Sequence, residues 1–89
     1  MIGGAMPRAT KEREDLAKAE VDIAEGEKRL SEQIALIERL AEHGHDVTEA
    51  ERLRRNYEQT LEEFRRHRAL ILYEIERQEG PEPHDTPVP

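Results

Sequence analysis

Glu42-His43-Gly44-His45-Asp46-Val47-Thr48-Glu49-Ala50-Glu51 is the stretch that decides the fold. On either side of it the chain is helix-forming, with no proline from Ala9 to Gly80 and only Gly26 as a further interior glycine. Gly44 is placed to take the left-handed conformation that ends a helix. Thr48-Glu49-Ala50-Glu51 has the form of a capping box, in which the Thr48 hydroxyl accepts from the Glu51 amide and the Glu51 carboxylate reaches back to Thr48. A stop followed so closely by a start makes a helical hairpin. The reading is helix 1 over about 10–43, a turn over 44–47 and helix 2 over about 48–79, which Gly80 and Pro81 end. Each helix is about 50 Å long at 1.5 Å per residue. Expected i,i+4 pairs, acid before base, are Glu14 with Lys18, Glu25 with Arg29, Glu51 with Arg55 and Glu62 with Arg66.

The apolar pattern gives each helix a seam. Leu16, Ile23, Leu30 and Ile37 recur every seventh residue, and Ala19, Gly26, Gln33 and Leu40 follow them three residues later. In helix 2 the first row is Ala50, Tyr57, Phe64 and Ile71, with Leu53, Thr60 and His67 read as the second. Two heptad seams joined by a short turn predict an all-α fold: an antiparallel, coiled-coil-like two-helix hairpin. The turn also fixes the register, since facing residue numbers should sum to about 90. Ala19 then meets Ile71, Gly26 meets Phe64, Gln33 meets Tyr57 and Leu40 meets Ala50. Ile37 meets Leu53, Leu30 meets Thr60 or Leu61, and His67 falls opposite Ile23. Small residues face large ones, which gives Gly26 a reason to interrupt a helix at a cost of about 1 kcal/mol relative to alanine.

Composition sets bounds on the rest. The 89 residues are enough for one small domain, and Leu, Ile, Val and Phe make up only about a fifth of them, at the edge of what can bury a core. Residues 1–9 carry glycine and proline without periodicity and read as a flexible N-terminal arm; residues 80–89, with four prolines and acidic side chains, read as a disordered tail. With no cysteine there is no disulfide framework, thiol catalyst or thiolate metal site. No apolar run is long enough to span a membrane or form a signal-peptide core, so no membrane partner and a cytoplasmic location are expected. The formal charge of −7 disfavours duplex nucleic acid as a ligand.

Some apolar residues lie off the seam: Leu70, Leu72, Tyr73 and Ile75 around Ile71, and Ile34 and Leu36 on helix 1. A lone hairpin buries one narrow face. These six residues are therefore the expected contact surface, either for a homodimer forming a four-helix bundle or for another helical protein. The alternative cover for the helix 2 patch is the chain's own arm, through Ile2 and Met6.

Three clusters carry candidate chemistry. His43, His45 and Asp46 have metal-ligand side chains, but no further ligand is obvious at that end of the hairpin, and turn formation with Asp46 capping helix 2 accounts for them more simply. His67 on the seam reads as a core histidine or a register element. Arg52, Arg54, Arg55, Arg65, Arg66 and Arg68 make residues 52–68 locally basic, either as a patch for RNA or an acidic protein or as partners for the acids of helix 1. No nucleophile–base–acid arrangement, paired catalytic carboxylates or cofactor motif is present, so neither an enzyme nor a cofactor is expected.

Residues 26–68 resemble a group of short, uncharacterised bacterial helical-hairpin proteins. The resemblance rests on Gly26-Glu27-Lys28-Arg29, Gln33, Leu36-Ile37-Glu38-Arg39-Leu40, Gly44-His45-Asp46, Ala50, Leu53, Leu61 and His67-Arg68. It implies a stand-alone two-helix bacterial protein and carries over no activity or partner.

Overall fold

The computed structural model describes residues 9–80, which form α1 (Thr10–Glu42) and α2 (Thr48–Glu79), packed antiparallel along their length. No strand occurs among the described residues, and neither helix is long and apolar enough to cross a membrane. The fold is the all-α hairpin that the sequence predicts. Ala9, expected as the last residue of a flexible arm over 1–9, is instead buried at the start of α1, where its carbonyl accepts from the Arg13 N–H (2.8 Å). The rest of the expected arm, with Ile2 and Met6, and residues 81–89 of the expected tail lie outside the described residues.

Gly44 ends α1 at φ 73°, in a Schellman arrangement. The His45 N–H donates to the Leu40 carbonyl (2.9 Å) and the Gly44 N–H to that of Ala41 (3.0 Å), satisfying carbonyls that the helix itself leaves open. The start of α2 differs from the capping-box expectation. Thr48 donates twice to Asp46 Oδ1, from its N–H (2.9 Å) and its Oγ1 (2.7 Å). The Glu51 amide donates to the Val47 carbonyl (2.8 Å), and the Glu51 carboxylate accepts from Arg54 (3.3 Å). An ionised carboxylate is a stronger acceptor than a hydroxyl, so Asp46 takes the capping role and turns Thr48 into a donor.

On α1 the seam is as expected. Leu16, Ile23, Leu30 and Ile37 are half-buried, and Ala19 and Gln33 are buried. On α2 the first row holds, but the second lies four residues on, at Arg54, Leu61, Arg68 and Ile75. Leu61 and Ile75 are buried, while Leu53, Thr60 and His67 are exposed. The row with the larger aliphatic side chains wins. Its two arginines, Arg54 and Arg68, are half-buried there while their guanidinium groups reach Glu51, Glu58 and Glu20, as a side chain with an apolar stem and a charged head allows. Ile75 was expected on an outer contact surface, and this shift places it instead in the cluster of Ala9, Ala19 and Ile71, with Leu16 packed alongside.

Gly26 confirms the register. A Cβ built on it would lie 3.7 Å from Phe64 Cδ2 and 3.1 Å from Leu61 Cδ1, so the absence of a side chain is what lets α2 come this close. Gln33 is the buried polar residue of the seam. It is 7% exposed, and its Nε2 donates to the Ala50 carbonyl (2.9 Å), one heptad nearer the turn.

Candidate interaction surface

Two flanks border the seam, and their charges differ. The first carries residues 13, 20, 27 and 34 of α1 and residues 58, 65, 72 and 79 of α2. Three ion pairs cross it: Arg13 with Glu79, Arg68 with Glu20 (3.2 Å) and Arg65 with Glu27 (3.0 Å). The residue numbers in these pairs sum to 92, 88 and 92, the antiparallel register read directly from side chains. The second flank carries residues 15, 22, 29 and 36 of α1 and residues 53, 60, 67 and 74 of α2. No ion pair crosses it among the described residues. A shallow groove of about 300 Å³ opens there, where Gly26 exposes the edges of Tyr57 and Phe64 beside Arg29 and Thr60.

The within-helix pairs are not the four expected. Lys18 turns to Asp22 (3.2 Å) and Arg54 to both Glu51 (3.3 Å) and Glu58 (3.1 Å); Lys11 pairs with Asp15 (3.2 Å), Arg52 with Glu49 (3.4 Å) and Arg77 with Glu74 (3.3 Å). All are solvent-screened and contribute little individually. Arg77 and Gln78 donate to the Glu74 carboxylate and hold its pKa below the ordinary range, and the same pairing raises that of Arg77.

The six residues expected to make the contact surface do not form one patch. Successive residues of a helix are rotated by about 100°, so the Ala69–Tyr73 run is spread around α2. Leu70 (62% exposed) and Tyr73 (61%) share its outer face, Leu72 (39%) lies on the first flank, and Ile75 is in the core. On α1, Ile34 (37% exposed) belongs to the first flank and the half-buried Leu36 to the second. Leu53, which the seam expectation had placed inside, is 40% exposed on the second flank at the height of Leu36.

In the turn, His43 and His45 have ring centroids 6.4 Å apart. The Nδ1 of His43 lies 2.7 Å from the Arg39 carbonyl, and Asp46 is engaged by Thr48. Those two hydrogen bonds pull the Asp46 pKa below its ordinary value. Both His43 and Asp46 thus serve the turn, and among the described residues no group of three or more His, Cys, Asp or Glu side chains converges on a metal position. His67 was expected in the seam. It is exposed instead, bordering a shallow depression with Asp15, Lys18, Ala19 and Asp22, because the seam row passes through Arg68. Of the six arginines over 52–68, Arg65 and Arg68 reach across to α1, Arg52 and Arg54 pair within α2, and Arg55 and Arg66 make no ion pair among the described residues.

No protein-family model, curated protein or solved structure matches this chain.

Proposed function

We propose that the chain is a non-enzymatic helical interaction protein that works by association, with itself or with another helical protein, through faces outside its seam. One observation carries this reading: large apolar side chains stand in solvent, while no side chain of the hairpin is less than 2% exposed. Among the described residues the buried hydrophobic set is Ala9, Ala19, Leu61, Ile71 and Ile75. Such a core leaves much of the apolar surface wet. Covering exposed leucine and tyrosine side chains stabilises an assembly by roughly 25 cal/mol per Å² of apolar area removed from water.

His43, Asp46 and four of the six arginines over 52–68 already have partners within the hairpin, which favours this reading over the metal-binding and RNA-binding alternatives. Light scattering across a concentration series tests the reading, with the mass expected to rise above that of the 10.3 kDa chain. Leu70→Glu combined with Leu72→Glu is expected to lower that mass by placing charges in any contact made by either face. An unchanged mass in the double variant would remove these residues from the surface. A chain that stays monomeric at every concentration would leave self-association without support.

A further inference from the structure

We propose that two copies pair through the second flank about a two-fold axis parallel to the helices, forming a four-helix bundle with both turns at one end. This rests on the self-association reading above and adds the face and the symmetry. Rotation about an axis along the helices leaves every residue at its own height. α1 of one copy must therefore meet α2 of the other in the register that it keeps with its own α2, with no sliding available to improve the fit. Facing residues are again those whose numbers sum to 88–92, as the cross-helix ion pairs do.

On the second flank and the outer row beside it, that rule sets Arg29 against the partner's Glu63, Lys18 against the partner's Glu74 and Arg39 against the partner's Glu49. Each match is of opposite charge. Leu36 meets the partner's Leu53, joining two apolar side chains that each hairpin leaves partly open. Arg29 and Glu63 make no ion pair within their own chain among the described residues, so association supplies each with a partner; Arg39 is likewise unpaired and would share Glu49 with Arg52, while Lys18 and Glu74 already pair with Asp22 and Arg77. Three like-charge matches occur, Asp15 with Glu74, Glu25 with Glu63 and Lys11 with Arg77, and each shares its α2 residue with an opposite charge, Lys18, Arg29 or Asp15.

The first flank offers less. There the rule opposes Glu27 to the partner's Glu62 and Glu38 to the partner's Glu51, and its opposite-charge matches, Arg13 with the partner's Glu76 or the partner's Glu79 and Glu27 with the partner's Arg65, draw on groups that the chain already pairs, Arg13 with Glu79 and Arg65 with Glu27. The open edges of Tyr57 and Phe64 also lie on the second flank, where the bundle axis would run. Aromatic side chains at the centre of an interface with a charged rim are the usual anatomy of association.

Because the chain has no cysteine, His45→Cys accepts a single nitroxide at the turn, and electron–electron dipolar spectroscopy reads the distance between copies. With both turns at one end, the labels should lie within about 30 Å, since neighbouring helix axes are roughly 10 Å apart. Turns at opposite ends would put them about 50 Å apart, the length of a helix. Arg29→Glu or Glu63→Arg alone should raise the dimer dissociation constant about tenfold, since each contact occurs twice, and the double variant should return it close to the original value. Both positions are exposed, so the hairpin itself tolerates the changes. A dimer with widely separated turns, or one in which the double variant is as weak as the singles, overturns this arrangement and leaves self-association standing. A monomer at every concentration overturns both.

Discussion

Gly26 offers the sharpest test of the register, because two opposing effects of known size meet at one position. Replacing it with alanine removes the backbone-entropy penalty of an interior helical glycine, a gain of about 1 kcal/mol. Against this, the new Cβ would stand 3.1 Å from Leu61 Cδ1, which must give by a few tenths of an ångström. Leu61 has somewhere to go: on its far side a groove of about 270 Å³, lined by Leu30, Ile34 and Arg65 among others, opens on the first flank. The displacement therefore recovers only part of the gain, and Gly26→Ala should stabilise by about 0.5 kcal/mol, a rise of roughly 2–4 °C in Tm for a chain of this size. Gly26→Leu has no such escape, since its branch would run into both Leu61 and Phe64. Overpacking toward the upper end of about 1–3 kcal/mol then outweighs the helix gain of about 1 kcal/mol, a net loss of about 1–2 kcal/mol, and Tm should fall by roughly 4–16 °C. Thermal denaturation followed by far-ultraviolet circular dichroism, at one fixed protein concentration for all variants, reads both shifts. A tolerated leucine would mean that Phe64 and Leu61 do not face Gly26, and the register with everything built on it would fall. An alanine variant that melts well below the parent would show instead that Leu61 is clamped.

Gln33→Leu should raise Tm, because it replaces a buried amide with aliphatic volume, and the Ala50 carbonyl that loses its donor still accepts within α2. The cost should appear as a broader distance distribution between spin labels on the two helices; an equally narrow distribution would show that Gln33 does not pin the register. Asp46→Ala should lower Tm by removing the acceptor of both Thr48 hydrogen bonds, and Asp46→Asn should lose less. The Asp46 pKa lies below its ordinary 3.8, so its stabilisation is full above that value and is lost as the pH falls through the folded-state pKa. The Tm difference between parent and Asp46→Ala should accordingly be largest near neutral pH and close in acid; a difference constant down to low pH would show that ionisation plays no part.

Most of the fold was legible because periodicity is a property of one chain read in order. Leu16, Ile23, Leu30 and Ile37 declare a heptad, Gly44 declares a stop, and the turn converts the two seams into a register that Gly26 and Phe64 bear out. The second row of α2 was misread because arginine counts as polar in a pattern but packs as a stem. Arg54 and Arg68 occupy seam positions whose charges reach Glu51, Glu58 and Glu20 outside it. The spacing from Leu61 through Arg68 to Ile75 was the signal available, and weighing an arginine stem as apolar would have found it. The misplaced His67 and the misplaced Ile75 are both consequences of that one row. At the turn, the capping box and the Asp46 cap compete for the same Thr48, and only hydrogen-bond geometry separates them.

The proposed association surface is harder to read because it rests on a difference between two flanks, and the flanks exist only once the second row is placed. Taking the row through Leu53, Thr60 and His67 puts those three inside and leaves Leu61 and Ile75 outside, which makes α2 look apolar around its C-terminal half. Taking it through Leu61 and Ile75 returns Leu53 and His67 to the surface and divides the leucines between faces. The charges then sort themselves: Glu20, Glu27 and Glu79 find cations across the first flank, while Arg29, Arg39 and Glu63 are left without ion pairs on the other side. The same rotation of α2 that buries Ile75 thus closes one flank with ion pairs and opens the other to Tyr57 and Phe64. The proposed interface is therefore tied to the geometry of the seam, and a variant that shifts the register should redistribute association as well as stability.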